Sequence, residues 1–154
     1  MALLIMVTSQ IPSSIIRVDH VRDDFEFAAV FDLRASVLQG EMGLPEESDV
    51  DGNDHISTHY LAFVDDQVEG PARWRMTLGR KVKLERFVVL PEFRGRGVGR
   101  ALVEAALRDI PDGQEVYLEA LSDVVEFYMK MGFEAQGEAY DVNGFPHQQL
   151  ILKK

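Results

Sequence analysis

The apolar positions of this chain fall into short blocks whose period changes along its length. Ile15 to Val18 is an apolar run of strand length. Asp23 and Asp24 stand where a helix cap is wanted. Phe27, Val30, Phe31, Arg34 and Leu38 follow near helical spacing, which predicts a helix to about Leu38. Gly40, Gly43 and Pro45 end it, and the acidic, polar stretch Pro45 to His55 reads as a surface loop. His59 to Val64 reads as a strand. Asp65-Asp66 begins a turn into Val68, and Ala72 to Leu78, with Trp74, Met76 and Leu78 in alternation, is predicted to pair back as a hairpin. Gly79-Arg80 turns again into a strand from Val82 to Leu90.

A helix is predicted from about Gly97 to Asp109, with Val98, Ala101, Leu102 and Ala105 on its apolar face. Pro111-Asp112-Gly113 stops it. Val116 to Leu121 reads as a strand, and Val124 to Met131 as a short helix closed by Gly132. Phe133 to Ala139 and Gln149 to Leu152 are strands joined through Asn143-Gly144-Phe145-Pro146. The order β-α-β-β-β-α-β-α-β-β predicts a mixed α/β single domain. Its parallel part is the strand–helix–strand unit around Gly95 to Gly99.

Composition narrows the partners. The 154 residues carry a net charge of −10, so nucleic acid is not expected and a cationic amine would be attracted. There is no Cys. That excludes disulfides, thiolate metal sites and a cysteine nucleophile, and it fits a reducing compartment such as the cytoplasm. Met1 to Val7 is apolar but too short to span a bilayer, and it lacks the basic start of a signal peptide. Residues 1–14 therefore read as an extension, disordered or an added strand, before a domain at 15–154. No membrane partner is expected.

The candidate chemistry lies between the strand ending at Leu90 and the helix starting near Val98. Here Gly95, Gly97 and Gly99 alternate with other residues, among Arg94, Arg96 and Arg100. Glycine permits positive φ and close approach of a ligand to the backbone, and the first amides of a helix favour an anion. The stretch reads as a loop that binds a pyrophosphate through main-chain N–H groups, with Gly97 and Gly99 leaving room for phosphate oxygens. A dinucleotide fingerprint would need glycine at Arg100 and a second strand–helix–strand unit. Asp49, Asp51, Asn53 and Asp54 hint at a calcium loop, but that loop needs Gly at Asp54 and Glu at Tyr60. His55 and His59 have metal-ligand spacing only on a helix, and His59 opens a strand, so a solvated or capping role is expected. No metal is expected.

Arg94-x-x-Gly97-x-Gly99, after Val88-Val89-Leu90-Pro91, resembles the acetyl-CoA motif of the GCN5-related N-acetyltransferases, the GNAT family. Phe127-Tyr128-x-x-x-Gly132-Phe133 resembles that family's second marker, at the expected distance. Ala72-Arg73-Trp74-Arg75, Lys83-Leu84-Glu85-Arg86 and Gly144-Phe145-Pro146-His147 are similar to its YjcF/ElaA-like bacterial branch. The resemblance runs from about Phe31 to the end. It departs where that branch carries Asn-Ala-Gln and this chain has Glu119-Ala120-Leu121. It departs again where Val-Gly-Thr is replaced by Glu69-Gly70-Pro71; Pro71 removes a ladder donor and marks a bulge.

The resemblance implies a mixed, mostly antiparallel sheet, splayed between its fourth and fifth strands and flanked by helices, with acetyl-CoA as cosubstrate in the splay. The main chain of Phe87, Val88 and Val89 would bond the pantetheine arm, beside Phe127. The amides of Gly95, Arg96, Gly97, Val98, Gly99 and Arg100 would hold the pyrophosphate. Arg94 and Arg96 would assist by charge, with the Arg100 side chain in solvent. Val89 N–H would meet the charge that grows on the acetyl oxygen. Tyr128 would act as general acid at the sulfur.

Two residues compete for the general base. Glu85 stands where many relatives place a catalytic Glu; otherwise it is a sheet-face partner of Lys83, Arg86 or Arg73. His147 belongs to the residue type that exchanges a proton near neutrality; otherwise it is a solvated loop residue. Arg73 and Arg75, on the face opposite Trp74, either hold a substrate carboxylate or pair with Glu85, Glu119 or the acidic loop. Glu119 would line the acceptor site. The activity implied is direct acetyl transfer to an amine of a small molecule or an exposed amino group. The alternative is a non-catalytic acyl-CoA-binding sensor or scaffold. A homodimer stays open.

Overall fold

Alternation along the second strand sets the layers. Tyr60, Ala62 and Val64 face one side of the sheet and Leu61 and Phe63 the other, and a helix covers each side. The protein is described by a computed structural model covering residues 15–153; the expected N-terminal extension lies outside the described residues. The elements are β1 (Ile16–His20), α1 (Asp24–Ala35), β2 (Thr58–Val64), β3 (Gln67–Met76), β4 (Val82–Glu85), α2 (Val98–Asp109), β5 (Glu115–Leu121), α3 (Val125–Met129), β6 (Glu134–Val142) and β7 (Phe145–Lys153). The strands form a seven-stranded sheet in the order β1-β2-β3-β4-β5-β7-β6. Every neighbouring pair is antiparallel except β4 and β5.

The main core lies under α2. Val98, Leu102, Val103 and Ala106 bury against Tyr60, Ala62, Ala72, Val82 and Leu84, and the same core continues to Val116, Leu118 and Leu150 in the second half of the sheet. On the other face Val30 of α1 packs on Leu61 and Phe63. No helix among the described residues is long and apolar enough to cross a membrane.

Four local departures from the sequence reading shape the site. Only Val82–Val116 and Lys83–Tyr117 pair between β4 and β5, so the expected strand to Leu90 stops at Glu85. The cause is a bulge at Arg86, whose φ is +57°. Arg73 faces Glu85, yet Pro71, two residues along, receives the N–H of Val88, three residues along, at 3.1 Å. Beyond the bulge the chain stays on β3 through this bond and Leu90 N–H to Glu69 O (3.2 Å), and leaves β5 behind.

In β3 the bulge falls at Glu69, two residues before Pro71: Ala62 pairs with Gly70 but Phe63 with Val68. Gly70 is obligatory there, since a Cβ would sit 2.6 Å from Val88 O. The helix expected to reach Leu38 turns α-helical only to Ala35 and then widens into a π-turn over Ser36–Glu41, closed by Met42 N–H to Val37 O (2.9 Å). Finally, the buried face of α1 is Glu26, Val30 and Arg34, while Phe31 stays 45% exposed.

Candidate active site

The glycine loop leaves β3 through one 3₁₀ turn at Pro91–Phe93 and enters α2 at Val98. Gly95 (φ +75°) and Gly97 (φ +90°) are both left-handed, with Arg96 between them. That alternation turns successive N–H groups toward one side, ahead of the unpaired first amides of α2. Gly97 supplies the backbone angle, and its missing side chain faces Ile16 at 3.7 Å. At Gly99 a Cβ would stand in ordinary contact with the Phe127 ring, 3.5 Å away.

Val88 and Leu90 spend their N–H groups on β3. Alternation along the extended chain turns those of Phe87 and Val89 the other way, toward the splay. An open cleft of about 650 Å³ fills the splay. Phe87, Val89, Gly95, Gly97, Gly99 and Phe127 line it, with Val37 and Leu38 of the π-turn closing one side. A smaller cleft of about 250 Å³, bounded by Glu85, Arg86, Glu119, Asn143 and His147, shares with it the walls Phe87, Val88, Leu121 and Tyr128.

Tyr128 sits at that shared corner, 8% exposed, with edge-on contacts to Phe127 and Phe133. Burial pushes its hydroxyl well above the usual tyrosine range, so it keeps its proton. His147 faces Leu121 across the β5–β7 ladder. Its Nδ1 lies 2.9 Å from Phe145 O. A carbonyl only accepts, so Nδ1 carries the proton in the neutral ring and Nε2 keeps a lone pair.

Glu85 is buried and saturated. Its Oε2 accepts from Arg73 Nε (3.0 Å) and Arg75 Nε (3.0 Å), and Lys83 Nζ lies 3.3 Å from Oε1. Burial favours its neutral form, but the hydrogen bond from Arg75 and the charges of Arg73 and Lys83 outweigh that and hold the carboxyl below its usual range.

Arg73, wholly buried, reaches Glu85, Asp51 and Asp54. Arg34 takes Asp49 at 2.9 Å and Asp54 at 2.8 Å, and Arg86 takes Asp49 at 2.8 Å. The stretch read as a surface loop is at the surface, and its aspartates clamp it to the arginines of the sheet and helix. His59, expected to be solvated or capping, is buried with Nε2 2.8 Å from Asp54 O.

A family model described as the acetyltransferase (GNAT) domain matches residues 45–154. This chain belongs to the GNAT family. The uncharacterized N-acetyltransferase YjcF of Bacillus subtilis (strain 168) is 30% identical over 133 residues, which cover 84% of this chain and 94% of that protein. Among solved structures, Escherichia coli ElaA superposes with a TM-score of 0.78 at 26% identity, covering 92% of this chain and 99% of its own. An acyl-CoA N-acyltransferase from Pseudomonas aeruginosa superposes with a TM-score of 0.75 at 28% identity, covering 90% of this chain and 99% of its own. The family and branch expected from the motifs are found, and so is the splayed, mostly antiparallel sheet.

Within this GNAT domain, Phe87, Val88, Val89, the glycine loop, Phe127 and Tyr128 converge on one cleft, and Glu85, Glu119 and His147 on its neighbour. Arg73 and Arg75 line neither. Arg94 lines the larger cleft with its guanidinium engaged: Nη1 and Nη2 bond Glu41 at 2.7 and 2.6 Å, and Nε bonds Val89 O at 3.0 Å. Arg96 stacks over Phe93, and Arg100 pairs with Glu104 one turn along. Sequence reasoning missed Glu41 and Arg34 as partners, whereas pairing of Arg73 with Glu85 and the acidic loop was one of its two readings and is what the structure holds. Arg34, a charge on an otherwise apolar helical stripe, was the visible signal.

Proposed function

We propose that this GNAT domain transfers an acetyl group from acetyl-CoA to the amine of a small molecule or an exposed amino group, directly, with both substrates bound. The observation that carries the reading is the meeting of two clefts at Tyr128, one walled by main-chain N–H groups and one by titratable side chains. The larger cleft fits the cosubstrate. Its left-handed glycines and helix N-terminus suit a pyrophosphate, and the N–H groups of Phe87 and Val89 suit an arm laid along the strand.

Bound acetyl-CoA supplies an activated acyl carbon and a thiolate leaving group. The protein must do three things around it. A lysine-like amine, with a pKa of about 10.4, loses its proton at pH 7 at a cost of about 4–5 kcal/mol. His147 Nε2, bare and on the smaller cleft, takes that proton. Val89 N–H receives the charge that develops on the acetyl oxygen. Tyr128, kept protonated by burial, returns a proton to the departing sulfur. Glu85, held in its charged form by three cations, positions Arg73 and Arg75 instead of acting as the base.

The test is turnover of acetyl-CoA with a panel of primary amines, following thiol release and N-acetyl product in equal amounts across pH. The rate rises on the acid side as the base loses its proton. His147→Ala flattens that limb, and Glu85→Gln retains it. A limb that survives in His147→Ala and vanishes in Glu85→Gln makes Glu85 the base. Tight acetyl-CoA binding with no amine turned over replaces the enzyme with the acyl-CoA sensor.

A further inference from the structure

The smaller cleft has a chemistry of its own. Its cation, Arg86, is committed: Nε holds Asp49 at 2.8 Å and Nη2 lies 3.5 Å from Asp51. Lys83, 3.3 Å from Glu85 and 3.4 Å from Glu119, divides its charge between them and does not line the cleft. Arg73 and Arg75 are spent on Glu85 and stand outside it. An incoming carboxylate or phosphate would meet no unmatched positive charge.

An incoming ammonium would meet acceptors. Glu119 projects from β5 two residues before Leu121, so both lie on the sheet face that carries His147. Its side chain is 43% exposed, and its ionic contact is the long one to Lys83. Tyr140 stacks on His147 at 6.1 Å, with its hydroxyl buried outside the cleft's lining. Glu119 also acts on that hydroxyl: after burial, its charge is what raises the Tyr140 pKa. Glu119 and His147 Nε2, both on the cleft, accept hydrogen bonds, as the N–H groups of a primary ammonium require. Leu38, Met42, Leu44, Val142 and Phe145 give the cleft apolar walls, with Ser48 and Asn143 as further polar, uncharged positions. The volume of about 250 Å³ is that of roughly eight waters.

Resting on the acetyl-transfer reading, we propose that the acceptor is a compact primary amine on an apolar body, without carboxylate or phosphate, whose ammonium is received by Glu119.

The experiment compares 2-phenylethylamine with phenylalanine, which adds only an α-carboxylate, using the full chain, acetyl-CoA and Glu119→Gln. The expected result is a kcat/KM at least about 100-fold higher for 2-phenylethylamine, since the carboxylate would enter unpaired. Glu119→Gln raises KM for that amine roughly tenfold or more and leaves acetyl-CoA affinity unchanged. Phenylalanine turned over as well as or better than 2-phenylethylamine overturns the proposal. So does that outcome with the preference lost in Arg86→Met, which would make Arg86 the carboxylate reader. An unchanged KM in Glu119→Gln overturns it too. Acetylation of phenylalanine alone leaves the acetyl-transfer reading standing, whereas transfer to no amine at all brings down both.

Discussion

The glycine-loop wall of the splay and the charged wall behind its smaller cleft are built from different materials. The glycine-loop wall is main chain: left-handed Gly95 and Gly97, the start of α2, and the outward N–H groups of Phe87 and Val89. The charged wall is side chain: Asp49, Asp51 and Asp54 are held by Arg34, Arg73 and Arg86, behind the Glu85 and Arg86 that bound the smaller cleft. A main-chain wall tolerates exchange of almost any side chain but not of its glycines. A side-chain wall tolerates backbone drift but not the loss of one partner, because a buried charge is then left bare. One wall is thus fixed by conformation and the other by charge, and the two can be broken separately.

Tyr128, at the seam, gives the largest effect. Tyr128→Phe removes a proton and keeps the ring, so single-turnover rates fall about 10²–10⁴-fold with acetyl-CoA affinity unchanged. An unchanged rate would return Tyr128 to packing between Phe127 and Phe133.

Arg73→Met breaks the charged wall. It leaves Asp51 and Glu85 short of their buried partner and costs about 3–5 kcal/mol in urea unfolding. Acetyl-CoA affinity of the folded fraction stays as it was; a fall in affinity equal to that of the loop variant below would mean the walls are not separable.

Gly97→Val breaks the other wall. A β-branched residue at φ +90° carries strain of about 1–3 kcal/mol. Its Cβ has ordinary room beside Ile16, so the fold survives. Calorimetry is expected to show acetyl-CoA affinity reduced roughly 10- to 100-fold, and unchanged affinity would remove the loop from the cofactor site.

The smallest effect is with acid. Asp51, Asp54 and Glu85 are all held below the usual carboxylate range: burial opposes this, and the arginine hydrogen bonds and charges prevail. The stability they contribute is complete above the unfolded carboxylate pKa of about 4 and is lost as pH falls through their lower folded values. Urea midpoints therefore hold level from neutrality to about pH 4.5 and decline below it. Asp54→Asn lowers the plateau and shallows the decline; an equal slope would exclude Asp54 from the linkage.

What could be read from sequence divides along the same line. Element order and the glycine loop were legible because local periodicity and turn residues encode them, as with Tyr60 to Val64 or Gly95 to Gly99; the splay was legible only through the family resemblance. Tyr128 was legible as part of a marker. The bulge at Arg86 was not, because an arginine takes positive φ only when the surrounding structure holds it there. Nor was the π-turn after Ala35, which satisfies local helical preference almost as well as an α-turn. Arg34 with Asp49, and Arg94 with Glu41, join residues far apart in sequence. Spacing along the chain carries no mark of such pairs, and the acidic stretch alone reads as a surface loop.

The two ladder pairs between β4 and β5 make the sheet a joint as well as a layer. A cut at Asp112–Gly113 would leave β1 to β4 with both longer helices in one piece and β5, α3, β6 and β7 in the other. Those pieces would recognise each other chiefly through the oily faces of Val116, Leu118 and Leu150 against α2, with little backbone to zip. The glycine loop would travel on one fragment and Tyr128 and His147 on the other. Neither fragment alone encloses the cleft, so a reconstituted cleft would be a built-in signal of reunion, and this joint is where the domain could be divided, shuffled or wired to another protein.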